Sequence, residues 1–290
     1  MIPFQLFQSD SPIATPARER SGSAFRGSFS PVLSAILGIA LWCGSGLFPR
    51  SGGAELPATA PPELTALIEE IEGAANRRDV GAVMENYARD FTNSDGLNYE
   101  MLERALTEFW EQYSRLNYTT TLESWERDGG AIVATTVTQI EGVRKLGDRE
   151  LTLLSTITSQ QRIENDRIVD QEILSEQNQL TSGDEPPTVR LNVPEQVQMG
   201  EEYSVDAIVE EPLGSEILIG TAIAQPATAQ AYFDSEPLRL EFLPSGGVFK
   251  IGQAPDVPED SWVSAILMRR GGITLVTRRL RVVDESYQIR

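Results

Sequence analysis

NYTTTLESWERDGGAIVATTVTQIEGVR, residues 117–144, is the stretch on which the fold turns. Thr, Val, Ile, Leu and Trp alternate with polar residues on either side of Asp128-Gly129-Gly130. A period of two broken by a Gly-rich turn reads as an antiparallel hairpin. The pattern continues downstream in runs at 117–126, 131–144, 149–163 and 168–179. Their connections, Asp128-Gly129-Gly130, Leu146-Gly147-Asp148 and Asn165-Asp166, suit antiparallel neighbours, so the expectation is a four-stranded meander.

Toward the N-terminus the period lengthens to that of a helix. Leu64, Leu67, Ile68, Ile71 and Ala75 follow Pro61 and Pro62, which suit a helix start. Asp79 reads as the N-cap of a second helix with the face Val80, Val83, Met84, Tyr87 and Phe91. A third helix, from about 99 to 115, carries Met101, Leu102, Ala105, Leu106, Phe109, Trp110 and Tyr113. Helices followed by a meander predict an α+β domain over 57–182, a cone of three helices packed on a curved four-stranded antiparallel sheet.

Beyond it, Ser182-Gly183-Asp184-Glu185-Pro186-Pro187 has no periodicity and reads as a linker, placed at 183–187. Residues 188–284 then show seven short alternating runs between Pro- and Gly-rich turns, which predicts an all-β sandwich. Arg269, Arg270, Arg278, Arg279 and Arg281 gather around the Gly271-Gly272 turn. In a hairpin they would form one basic edge, serving either as edge protection or as a docking site for an acidic surface.

Residues 1–54 differ in kind. A Ser-, Pro- and Arg-rich lead precedes VLSAILGIALWCGSGLF, residues 32–48, in the n-region and h-region order of an export signal. Seventeen uncharged residues are at the short limit of a membrane span, so the segment is either cleaved or kept as an anchor. Localisation is expected to be exported or membrane-tethered, with membrane contact only through residues 32–48.

The net charge of −19 excludes several classes. Residues 1–54 hold four Arg against Asp10 and Glu19, so the rest of the chain stands at −21. A surface of that sign repels phosphate backbones, and nucleic acid is not an expected partner. With no His and only Cys43, the chain lacks Ser-His and Cys-His nucleophile systems, internal disulfides and the commonest transition-metal ligand. A calcium loop centred on Gly96 would need oxygen ligands where Phe91 and Leu102 stand. No metal and no cofactor are expected.

The run DVGAVMENYARDF at 79–91, the turn Asn93-Ser94-Asp95-Gly96, a helix and four long strands together resemble the nuclear transport factor 2-like superfamily, which includes SnoaL-like proteins and ketosteroid isomerase. The resemblance covers about 125 residues. It implies a pocket enclosed by sheet and helices, and often a homodimer through the sheet. It also places the isomerase's catalytic base on Asp95. The tyrosine that would stabilise an enolate falls on Ile71, and the strand that would supply a protonated acid, 151–163, holds no Asp or Glu. Residues 188–284 resemble an immunoglobulin-like module in architecture only, since there is no cysteine pair and Trp262 falls in a late strand.

Proton abstraction beside a carbonyl needs both a base and donors for the oxyanion. Asp95 supplies only the first, and Asn-Ser-Asp-Gly is equally what a tight turn before a helix requires. Tyr87, Phe91, Trp110, Tyr113 and Trp125 are candidates either for the wall of a pocket or for core. The leading expectation is a non-catalytic protein that binds a small apolar ligand or serves in assembly. The alternatives are an isomerase, dehydratase or hydrolase using Asp95 with Tyr87 or Tyr113, and an envelope structural protein.

Overall fold

A computed structural model describes residues 59–234 and 238–284. The expected export segment lies outside the described residues. Helix α1 (Pro62–Arg77) opens on a proline, whose missing N–H has no helical partner in a first turn, and lays Leu64, Leu67, Ala74 and Ala75 into the core. It ends where Arg78 adopts a left-handed backbone, φ 57°, and donates to the Tyr113 carbonyl at 2.7 Å. Helix α2 (Val80–Met84) is capped by Asp79, whose carboxylate accepts the Ala82 N–H at 3.0 Å.

The helix expected to continue to Phe91 stops at Met84. The Asn86 amide turns back to the Ala82 carbonyl at 3.0 Å, and its own carbonyl accepts the Ile168 N–H at 2.9 Å. Residues Tyr87–Asn93 therefore extend as strand β1, in parallel with β5. Tertiary pairing thus outweighs a local helical pattern. Helix α3 (Tyr99–Gln112) is capped by Asn98 and buries Tyr99, Leu102, Ala105, Phe109 and Trp110. Among the described residues no helix is long and apolar enough to cross a membrane.

Strands β2 (Arg115–Asp128), β3 (Ala131–Leu146), β4 (Arg149–Glu164) and β5 (Arg167–Gly183) pair antiparallel in chain order. The β4–β5 turn puts Asn165 and Asp166 at φ 50° and 59°, the two positive values that a type I′ hairpin requires.

The expected architecture, a cone followed by a separate all-β sandwich, is overturned by what lies beyond β5. The remaining strands are β6 (Val189–Asn192), β7 (Gln196–Gln198), β8 (Glu202–Val209), β9 (Ile219–Pro226), β10 (Glu241–Phe242), β11 (Gly247–Gln253), β12 (Ser261–Arg269) and β13 (Gly272–Val283). One sheet runs β10-β9-β12-β13-β5-β4-β3-β2, with β1 beside β5 and β7 beside β13, ten strands in all. A smaller sheet, β11-β8-β6, packs across the face of β9, β12 and β13. The described residues are mostly strand, with three α-helices, and they fall within one compact unit.

The cause of the fusion is that β5 has two partners on one edge. Its first half lies beside β1, and Gln177–Gly183 pairs with Gly272–Arg278 of β13, so the sheet does not end where a linker was expected. Gly183 makes the join possible. At φ 106°, a Cβ there would stand 2.4 Å from the Gly271 carbonyl oxygen. Ile266, Leu275, Leu180 and Leu153 line up across four strands and share one core with Phe109 and Tyr113. The opposite face of β12 and β13 presents Val263, Ala265, Leu267, Val276 and Leu280 to the smaller sheet.

Candidate functional site

Helices α1 and α3 stand off the face of β2–β5 far enough to leave a cavity of about 190 Å3. Leu64, Leu67, Ile68 and Ile71 of α1 form its helical wall, with Leu102, Leu106 and Trp110 of α3 beside them. The sheet wall is different. Thr136 and Thr138 of β3, Ser159 and Gln161 of β4 and Gln171 of β5 bring uncharged polar side chains into it. The Gln161 amide donates to Thr136 Oγ1 at 2.9 Å and to Ser159 Oγ at 2.7 Å. Gln171 donates to the same Ser159 oxygen at 3.3 Å.

Helix α1 also closes the outer edge of β2. Asn76 donates to the Tyr118 carbonyl at 2.9 Å and accepts the Tyr118 N–H at 2.8 Å, while Glu72 accepts the Thr120 N–H at 2.6 Å. Glu72 lines the cavity, so an anion inside would meet a carboxylate.

Of the five aromatic candidates, Tyr87 and Trp110 line the cavity. Phe91, Tyr113 and Trp125 are buried outside its lining. Burial raises the Tyr87 hydroxyl to about 12, so it stays protonated, and it has no hydrogen-bond partner among the described residues. Burial likewise raises Tyr113 and Tyr118 above the ordinary tyrosine range.

Asp95 does not line this cavity. Its side chain is 1% exposed and is gripped by Arg279 of β13, with Nη1 to Oδ1 at 2.8 Å and Nη2 to Oδ2 at 2.7 Å. The Tyr232 hydroxyl donates to Oδ2 at 2.5 Å. Around the same guanidinium stand Asp260 at 3.2 Å and Glu176 at 3.5 Å, and Trp262 Nε1 donates to Glu176 at 2.8 Å. Burial works against the charge of Arg279, but the hydrogen bonds and charge of Asp95, reinforced by Glu176, hold it protonated above the usual arginine range. Burial first, and the Asp95 charge next, push Tyr232 well above its ordinary value. A carboxylate fixed by a bidentate guanidinium and a phenol is poorly placed to abstract a proton.

This cluster follows from sheet register. Gln225, Trp262 and Arg279 lie side by side across β9, β12 and β13, and one step beyond the Arg278–Gln177 pair Arg279 meets Glu176. The row continues through Ile157, Thr138 and Thr120 into the cavity wall. The β9–β10 connection completes it: Ala229–Tyr232 forms a turn of 3-10 helix that brings Tyr232 edge to face with Trp262, ring centroids 5.0 Å apart, and into the lining of the cavity. Phe233, next in sequence, lies under the Arg104 guanidinium of α3 at 4.1 Å.

The five arginines therefore do not share an edge. Strand β13 is interior, flanked by β12 and β5, and alternation sends Arg278 and Arg279 to opposite faces. Arg269 stands 3.8 Å from Glu211, Arg281 pairs with Glu172, and Arg270 is exposed in the turn. Sequence reasoning missed Tyr232, Glu176, Asp260 and the Gln161 group. The first lies in an Ala-Tyr-Phe run between strands, and alternation along 168–179 places Glu176 on the same face as Asn178 and Leu180.

A domain of unknown function (DUF8623) matches residues 184–283, about a third of the chain. No curated protein matches the sequence. Solved structures with some similarity are SnoaL- and nuclear transport factor 2-like or cystatin-like folds. Bd1075 of Bdellovibrio bacteriovorus is 16% identical with a TM-score of 0.28, and the match covers 38% of each chain. A protein of unknown function with a cystatin-like fold from Nostoc punctiforme is 13% identical over 41% of this chain and 92% of its own, with a TM-score of 0.31. An epoxide hydrolase of the LEH-like type from M. tuberculosis is 14% identical over 38% of this chain and 80% of its own, with a TM-score of 0.26. Likeness at this level carries no argument about activity.

Proposed function

We propose that the chain is an exported or membrane-tethered, non-catalytic protein that binds a small, mainly apolar molecule in the cavity between α1, α3 and β2–β5. One observation carries the reading. The acid at the position of the catalytic base lies outside the cavity and is held by Arg279 and Tyr232, while the cavity has a helical wall apolar apart from Glu72 and a sheet wall of apolar and uncharged polar side chains. Small-molecule sites commonly have this composition, apolar walls with a few placed polar groups. Export rests on residues 32–48, and pairing of two copies through the outward face of β2–β4 belongs to the same proposal.

Size bounds the ligand. An engineered apolar void of about 150 Å3 holds benzene. At about 190 Å3, this cavity has room for one ring with one or two further atoms. Calorimetry of the purified chain against single-ring compounds tests the reading, with the filling variant Ala134→Leu as control, since Ala134 is buried in the lining. The expected result is saturable binding that Ala134→Leu abolishes while the protein stays folded. Turnover of a carbonyl or ester substrate that disappears in Asp95→Asn would overturn it.

A further inference from the structure

The polar strip on the sheet wall shows what kind of small molecule the cavity takes. Resting on the ligand-binding reading above, we infer that it binds a neutral, single-ring compound bearing one hydroxyl, with that hydroxyl held by Gln161, Ser159 and Thr136.

The argument is a count of donors and acceptors. Both hydrogens of the Gln161 amide are committed, one to Thr136 Oγ1 and one to Ser159 Oγ. Its carbonyl oxygen accepts nothing among the described residues. Ser159 Oγ already accepts from Gln161 and Gln171, so its two lone pairs are occupied and its own hydrogen is left to donate. Thr136 Oγ1 accepts from Gln161 and likewise has a hydrogen to give. These residues are more than nine-tenths buried or close to it, with Thr136 and Ser159 at 3% and Gln161 at 9%.

The strip therefore presents hydroxyl donors and an amide acceptor to the cavity. A bound molecule that leaves such groups unmatched loses affinity. A ligand hydroxyl, which donates once and accepts twice, complements that set. A hydrocarbon of the same shape does not. A carboxylate could accept from Ser159 and Thr136, but it would leave the Gln161 carbonyl facing an anion, with the Glu72 carboxylate of α1 also in the lining. An ammonium would leave the two hydroxyl hydrogens without an acceptor.

The experiment is calorimetric titration of the full chain with 4-methylphenol, toluene, benzoate and benzylammonium, repeated on Gln161→Leu and on Ala134→Leu. The proposal expects 4-methylphenol to bind at least tenfold more tightly than toluene, with benzoate and benzylammonium weaker than either. Gln161→Leu should erase the preference for the hydroxyl while retaining toluene, which shows that the variant is folded. Equal affinity for toluene and 4-methylphenol, or a preference for either ion, overturns the inference and leaves the ligand-binding reading standing. Failure of all four compounds to bind the parent protein overturns that reading as well.

Discussion

Arg279→Met removes the guanidinium around which Asp95, Glu176 and Asp260 are gathered. The side chain is 0% exposed, those of Asp95 and Glu176 are 1% and 0% exposed, and Asp260 stands 3.2 Å away. Methionine fills much of the volume but takes from Asp95 the bidentate counterion it holds in a low dielectric. Breaking a buried pair from one side costs about 3–5 kcal/mol. Against a total stability of about 5–15 kcal/mol, that is a third or more of what holds the fold. Equilibrium urea unfolding at pH 7 should show the midpoint falling with little change in slope.

Asp95→Asn should cost less, because Arg279 keeps Asp260 and Glu176. The double variant should be less damaged than the sum of the singles, with a coupling of about 0.5–3 kcal/mol. Because Arg279 is held protonated above its ordinary range, its contribution is fully present below the unfolded value and is lost only as pH rises through the folded one. The Arg279→Met deficit should therefore be the same at pH 6 and pH 9. A loss under about 1 kcal/mol, or strict additivity with Asp95→Asn, would refute the reading of Arg279 and Asp95 as a buried, mutually dependent ion pair.

Tyr232→Phe keeps the ring against Trp262 but deletes the donor to Asp95, and a loss of about 1–3 kcal/mol in urea unfolding is expected. Gly183→Ala forces a side chain into φ 106° and within 2.4 Å of the Gly271 oxygen, so thermal unfolding should register at least about 2 kcal/mol of destabilisation. Gly142→Ala would put a methyl 2.8 Å from the Tyr113 ring, and a smaller loss of about 1–3 kcal/mol follows from overpacking. Tyr87, raised by burial from 10 to about 12, favours the folded state fully below pH 10 and loses that advantage between pH 10 and 12, by up to about 3 kcal/mol. Tyr87→Phe should flatten that part of the alkaline stability profile, and an unchanged profile would show that the hydroxyl is not buried as placed.

The strands were legible because alternation is a local property, and the four runs expected between 117 and 179 are all extended in the structure. The order in which they pair was not, since nothing within Gln177–Gly183 names β13 as a neighbour. One sign was present in the residues themselves. SWVSAILM at 261–268 and ITLV at 273–276 are almost continuously apolar, and strands buried on both faces read that way, whereas an exposed edge does not. On those grounds Arg279 belonged to an interior strand and needed a buried acid.

The helix drawn through Tyr87 and Phe91 failed for a similar reason. Their spacing fits a helical face, but the parallel pairing of β1 with β5 decides the backbone. The candidate site was legible in part: Asp95 was named, its neutralising partner was misread as surface, and Tyr87 and Trp110 were named among the aromatics. Gln161, Ser159 and Thr136 carried no motif, because one amide and two hydroxyls form a polar strip only when register puts them side by side.

The join between Gln177 and Arg278 also sets an order in time. The two residues lie about a hundred positions apart, so half of the edge of β5 stays open until the last strand arrives. Pairings of such long range form slowly. Meanwhile the open edge is a template for a strand from any other chain. A chain cut short before Gly272 would keep that edge open permanently and should aggregate rather than fold as a smaller domain. The twelve residues of β13 thus act as the seal on a sheet whose other end was made first.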